Sequence, residues 1–390
     1  MKNKTTQLIV FFIIILISCI ATFLMYRNEY IEPFDTALEN TGEANADPGK
    51  ASKEVFESNK KADEKSDKAE DEKTTSEETT PASFDITLSF IGDGLCATDV
   101  NAYYENRFND VAQREDPSYF FAKVNHIFTA DDYTIGDCEN VFSDSEDLPL
   151  RDKGQYANPG IEAYWFKGPA SSAKILSAGG IDFVSTSNNH INDYGEQGHK
   201  DTLKALEDAG VEWGEEGKVV HFEKNGFKIA IICFSMYGYE PVPSVIETIE
   251  EESKTTDYQI LYFHGGEEAL HYAEDWKIRA CHDLVDGGAD LIMGDHPHVL
   301  QPMEEYNGVT IIYSLGNFIF GGNRHPENRT IIYQHTLTVK NGKLKKQSGN
   351  MIPCFVYTGD TNNWQPDIIE DETIKNKIFE YMKGNTSSPV

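Results

Sequence analysis

Five apolar runs of strand length in this sequence each end in side chains that can coordinate a divalent cation. Asp93 follows LSFIG, and Asp137, Glu139 and Asn140 follow YTIG. Asn188, Asn189 and His190 follow IDFVSTS, His264 follows QILYF, and His296 and His298 follow DLIMGD. In open α/β sheets a ligand site forms in the crevice beyond the carboxyl ends of the strands, which is where these residues fall. Mixed carboxylate, carboxamide and imidazole ligands suit a borderline divalent ion such as Mn, Fe or Zn better than Ca or Mg. The set could hold one ion or two. Two ions about 3.5–4 Å apart would polarise a phosphoryl oxygen and activate water for in-line attack.

Each piece alone has a plainer reading. GDG around Asp93 is a common turn, Asn188 or Asn189 could cap the next helix, and a lone His264 could be a core histidine. HPH at His296–His298 is weak by itself. The ordered set points to a metal. His282, His325 and His335 lack such a setting and read as structural.

From Phe84 to about Pro366, strand-like runs alternate with helical patterns. Helices are expected in PSYFFAKVNHIFTADD, PASSAKILSAGG, EQGHKDTLKALEDAG and AEDWKIRACHDLVDGG, and a hairpin in TIIYQHTLTVKNGKLKKQS. Glycines at 179–180, 210 and 287–288 stand where helices end. Strands apolar on both faces, alternating with helices, imply a layered, mainly β-α sheet. Cys96, Cys138, Cys233, Cys281 and Cys354 are odd in number and form no CxxC, so they read as buried free thiols rather than a disulfide framework.

The N-terminal run Leu8–Tyr26 is uncharged and long enough to span a bilayer. Lys2 and Lys4 precede it and Glu29, Glu32 and Asp35 follow, so residues 1–27 read as an anchor with the remaining chain outside the cell. LISC at Leu16–Cys19 also resembles a lipobox, which would make Cys19 a lipidated first residue. Residues 28–83 are acidic, low in complexity and poor in aromatics, a disordered stalk. The net charge of −31 excludes nucleic acid as a partner. It also requires any anionic ligand to be met locally, by a metal or a small basic patch.

FIGDG, GDCEN, NNHINDYGEQG, FHGGEE and GADLIMGDHPHVLQPMEEYNGVTIIYSLGNFIF, in that order over roughly Phe84–Phe320, resemble the bacterial CapA/PgsA capsule family, associated with poly-γ-glutamate synthesis. That family is similar to calcineurin-like metallophosphoesterases. The resemblance implies a layered α/β sandwich of that type over 84–390. It implies that Asp93, Glu139, Asn189, His190, His264, His296 and His298 line its metal site. It also implies poly-γ-glutamate or another anionic surface polymer, and membrane subunits of a polyglutamate synthase, as partners. Leu95 replaces the imidazole of the phosphoesterase Asp-x-His, while Asp137, Gly265 and Asp295 replace the family's usual Asn, Trp and His. Asp137 and Asp295 are therefore candidate additional ligands.

Three functions stay open. One is an accessory in polymer synthesis, export or anchoring, holding glutamate carboxylates through an ion. Another is a metal-dependent hydrolase of a phosphoester, or of the amide or ester of an exported polymer, with His190 or His264 protonating the leaving group. A generic surface hydrolase carried on a lipoprotein is a third.

Overall fold

The computed structural model describes residues 82–151, 163–321 and 325–390. The anchor over 1–27, Cys19 and nearly all of the stalk over 28–83 lie outside the described residues. Among the described residues no helix is long and apolar enough to cross a membrane.

The long strand runs divide between two large sheets, beside which stand two small ones, rather than continuing one layer. The first runs, in spatial order, Asp367–Ile368, Lys343–Phe355, Arg329–Lys340, Ser83–Phe90, Tyr133–Asp137, Phe183–Ser185, Glu212–Gly214. The second runs Leu300–Tyr306, Val309–Leu315, Leu291–Asp295, Tyr258–His264, Phe227–Ser235, Val220–Lys224. The central strands of each are parallel.

Alternating side chains explain why the two sheets stack. Ile229, Ile231 and Cys233 point inward and meet Leu88, Phe90 and Ile135 of the other sheet in one buried core. Ile232 and Phe234, one residue out of phase, pack with Val245, Ile249 and Leu284 of the helices Val242–Glu252 and Asp275–Asp286. Val184 and Ile332 on the outer face of the first sheet meet Phe121, Leu176 and Leu206. A strand such as FKIAIICFS is apolar on both faces because both faces are covered. Each such side chain contributes about 1.5–3 kcal/mol on burial. The result is a layered α/β sandwich with helices outside and two sheets within.

Other expectations need revision in detail. PSYFFAKVNHIFTADD is not one helix: it makes a tight turn at Pro117–Tyr119 and one short helix, Asn125–Phe128. Phe120, Phe121, Val124 and Phe128 keep the spacing of one helical face and are all buried, although the regular helix covers only the last part of the segment. VTIIYSLGNFIF is broken at Gly316, whose φ of 69° turns the chain. Beyond the break, Asn317–Ile319 pairs in parallel with Asp93–Gly94. The hairpin forms with Asn341 and Gly342 both at positive φ, as a two-residue turn requires. The five cysteines among the described residues are all buried free thiols.

GDG is not a turn. A Cβ on Gly92 would stand 1.9 Å from the Gly316 carbonyl oxygen, and one on Gly94 would stand 2.3 Å from that of Asp137. The two glycines let three backbones close on Asp93.

Candidate metal centre

Parallel pairing aligns the strand ends. Asp137 ends one strand of the first sheet, and His264 and Asp295 end neighbouring strands of the second in register with each other. Asp93, Glu139 and the loop Asn188–His190 come from the first sheet's end, and His296 and His298 from the second's. The cluster therefore bridges the two sheets at their carboxyl edge, and it brings together every residue singled out for the site.

Glu139 lies at its centre, fully buried, with neither carboxylate oxygen hydrogen-bonded. Its Oε1 stands 3.6 Å from His264 Nε2, 3.7 Å from His190 Nε2 and 3.9 Å from His298 Nε2. Each of these imidazoles is held through its other nitrogen. His190 Nδ1 donates to Asp193 Oδ2 at 2.7 Å, His264 Nδ1 to Asp295 Oδ1 at 2.9 Å, and His298 Nδ1 to Asn317 Oδ1 at 2.9 Å. That fixes the tautomers so that the Nε2 lone pairs turn toward the carboxylate. Groups that accept rather than donate converge here, and a cation is what such a donor set fits. Asn189 Oδ1 adds a further oxygen 2.8 Å from His264 Nε2, and His296 Nδ1 lies 3.0 Å from the same nitrogen.

The electrostatics agree. Burial, reinforced by neighbouring carboxylates, pushes the carboxyls of Asp137, Glu139 and Asp295 well above the usual range. Burial would raise Asp93 too, but His298, His264 and the His296 amide hold it below its usual value. Burial lowers His264, and lowers His296 strongly with help from His264 and His298. Burial alone would lower His298 as well, yet Asp93 and Glu268 raise it. One oxygen or nitrogen from each of Asp93, Asp137, Glu139 and His264 falls within 4.8 Å of the others, a group able to hold a metal ion.

Two of the neighbouring residues brace rather than face the centre. Asn188 Oδ1 accepts the amides of His190 and Ile191, and its Nδ2 donates to Asp137 Oδ1 and the Cys138 carbonyl. Asn140 Oδ1 accepts from the Cys96 amide. Asp295 has both oxygens engaged, by His264 and by the Tyr262 hydroxyl, so it orients His264. Leu95 presents an apolar wall where the phosphoesterase imidazole was expected. A Cβ on Gly265 would sit 1.8 Å from the Met236 carbonyl oxygen, so the backbone there leaves no room for a side chain.

A cavity of about 1200 Å³ opens beside the centre, with His190, His298 and Asn317 on its inner wall and Tyr103, Tyr164 and Phe320 among its aromatic lining. His264 is wholly buried and stands behind that wall. His325, read from sequence as structural, also lines the cavity. His335 is a core residue beside Tyr258, as expected. Asp193 and Asn317 went unnoticed in the sequence. Asp193, three residues after His190 in HINDYG, was within reach of a local reading.

Residues 87–322 match the family model described as "Bacterial capsule synthesis protein PGA_cap". The chain belongs to this family. Among its capsule-synthesis relatives, the "PGA biosynthesis protein CapA" of Bacillus subtilis (strain 168) is 32% identical over 257 residues, covering 60% of this chain and 63% of that protein. The "Capsule biosynthesis protein CapA" of Bacillus anthracis is 26% identical over 327 residues, covering 77% of this chain and 74% of that protein. The match thus spans somewhat under two thirds of the first relative's length. A hypothetical protein from Thermus thermophilus, of known crystal structure, covers 69% of this chain and is itself covered over 99% of its length, at 16% identity with a TM-score of 0.41, too loose a likeness to carry an argument.

Proposed function

We propose that this chain is a membrane-anchored, extracytoplasmic component of capsule synthesis. It would handle poly-γ-glutamate or another anionic surface polymer beside the membrane subunits of a synthase. Its sandwich is of metallophosphoesterase type. One or two divalent ions, Mn, Fe or Zn, would draw their ligands from among Asp93, Asp137, Glu139, Asn189, His190, His264, His296 and His298. The observation that carries the metal reading is Glu139: a buried carboxylate without hydrogen bonds, facing three imidazoles whose outer nitrogens are each fixed. The capsule role rests on the family and on the names of its relatives.

A second reading, a metal-dependent hydrolase, has its own support. The cavity reaches His190, and the buried Asp193 holds that imidazole as an orienting carboxylate holds a general acid or base. A bound ion there would supply Lewis acidity and an activated water. His190, on the cavity wall, is placed to move the proton, whereas His264 is placed to ligate.

Both readings meet in one experiment. The full-length chain is expected to carry a divalent transition metal by elemental analysis, and His190→Ala and His298→Ala are expected to abolish polymer production while the protein still accumulates folded. Normal polymer from both variants would refute the site. Turnover of a phosphodiester by the loaded chain would select the hydrolase.

Metal binding should also depend on pH in a definite direction. The raised carboxyls of Asp137 and Glu139 hold protons into higher pH in the metal-free fold, and an ion must displace them. His264 and His296, lowered, add little competition near neutrality. Affinity therefore rises with pH until the carboxyls ionise. The thermal midpoint gained on adding Mn²⁺ to chelator-treated protein should be larger at about pH 8 than at about pH 5. An increment that is equal at both, or larger in acid, would count against these carboxyls as ligands.

A further inference from the structure

We infer that Glu268, together with His296 and His298, forms an outer metal position on the cavity side of the centre. The inference rests on the metal reading proposed above and extends it to a residue outside the set the family resemblance implied. One ligand atom from each of the three lies within 4.8 Å of the others. The inner set is Asp93, Asp137, Glu139 and His264, and His296 links the two sets, since it also groups with Glu139 and His264. The inner set is wholly buried and rich in carboxylate, while the outer one is two imidazoles and a single carboxylate at the rim, with Glu268 and His298 on the cavity wall. Two imidazoles and a carboxylate, with the remaining positions open, suit Fe(II), Mn or Zn.

Glu268 is an exposed acid, and exposed acids are common without ions. Its backbone, however, is not that of a solvent loop. Gly265 N donates to the Asp295 carbonyl at 3.1 Å, Glu267 N to Glu274 Oε1 at 2.8 Å, and Ala269 N to the Pro297 carbonyl at 2.9 Å. The last of these ties the Glu268 loop directly to the His296–His298 loop. On the two sides of that bond stand three non-glycine residues in the left-handed region: Ala269 at φ 61°, His296 at 91° and His298 at 60°. Such residues cost roughly 1–3 kcal/mol each, persist only where the surroundings enforce them, and gather at ligand sites. Gly266, at φ 106°, lies so close to the buried Lys277 that a Cβ would meet Nζ at 2.1 Å, which closes the loop from beneath. These contacts hold the Glu268 loop against the loop that carries the two imidazoles.

The outer position also answers the charge problem. Among the described residues lining the cavity there is no Lys or Arg, while Asp99, Glu268 and Glu327 are acidic. Arg151, nearby, is engaged with the backbone carbonyl of Asn189. An anionic ligand entering this cavity would be met by the cation that Glu268, His296 and His298 hold.

The test is a cobalt titration of the chelator-treated full-length chain, read by visible absorption and by calorimetry. The wild type is expected to take up two equivalents. Glu268→Gln should lose one, or bind it more weakly than the roughly 10–100-fold that removal of a merely supporting partner costs. Asp137→Asn should lose the other. Thermal unfolding in chelator should be unchanged for Glu268→Gln, since the side chain is exposed. If Glu268→Gln takes up cobalt as the wild type does, with uptake still sensitive to Asp137→Asn, this inference falls and the metal centre stands. If the wild type takes up none, both fall.

Discussion

Glu139→Gln is expected to empty the metal centre while leaving the metal-free chain as stable as the wild type or more so. The two effects have opposite signs because the residue is badly placed for folding and well placed for a cation. Glu139 is fully buried and neither oxygen has a hydrogen-bond partner. A buried polar group left in that state costs about 1–3 kcal/mol, and more if charged. Glutamine keeps the shape and cannot ionise, so it escapes the penalty of a buried carboxyl that must hold its proton, and in chelator the thermal midpoint should hold or rise, by roughly 2–4 °C per kcal/mol. The loss of metal affinity should exceed the roughly 10–100-fold of a supporting partner, since the carboxylate stands among three imidazole nitrogens. A structural carboxylate would behave in the reverse way, with metal content indifferent and unfolding easier. Elemental analysis beside thermal unfolding in chelator separates the cases. Full metal retention, or a metal-free variant weaker by more than about 1 kcal/mol, would remove Glu139 from the centre.

The site was more legible in the sequence than the architecture around it, for a physical reason. A ligand at a strand's carboxyl end leaves a local trace, an apolar run followed at once by Asp, His or Asn, and Asp93, His264 and His296 were legible through the recurrence of that trace rather than one at a time. The division into two sheets leaves no such trace. FKIAIICFS and DYTIGD are each covered on both faces, and a strand with a sheet on one side and helices on the other looks the same whichever sheet it joins. The supporting partners are legible only in part. Asp193 is near His190 in the chain, but Asn317 reaches His298 only because Gly316 breaks a strand that reads as continuous. The division of labour in NNH was open as well: Asn188 braces the loop, while Asn189 turns its oxygen to His264. The helix Glu372–Met382, beyond the expected end of the core, did leave a signal. Asp371 accepts from the amides of Thr373 and Ile374, an N-cap before the apolar spacing Ile374, Ile378, Tyr381.

The glycines around Asp93 carry the largest expected effect on folding. Gly92→Ala would place a methyl 1.9 Å from the Gly316 carbonyl oxygen, a backbone atom that cannot rotate away. Relief requires Asn317–Ile319 to part from Asp93–Gly94, and that pairing holds Asp93 beside the His296 amide, 2.8 Å from its Oδ1. Overpacking a buried contact costs about 1–3 kcal/mol, and a clash between two backbones belongs at or above the top of that range. Against a total stability of about 5–15 kcal/mol, this is a large fraction. Gly308→Ala is the fitting comparison: its φ is +82° but nothing lies within 4 Å of the added carbon, so it carries only the left-handed strain, about 1 kcal/mol. Denaturant unfolding of the two variants in chelator should therefore differ by about 2 kcal/mol or more, with Gly92→Ala the weaker, and Gly92→Ala alone should also lose metal. Equal destabilisation would mean that the two strands part without cost, and that the close approach of Gly92 and Gly316 is not what holds Asp93 in the centre.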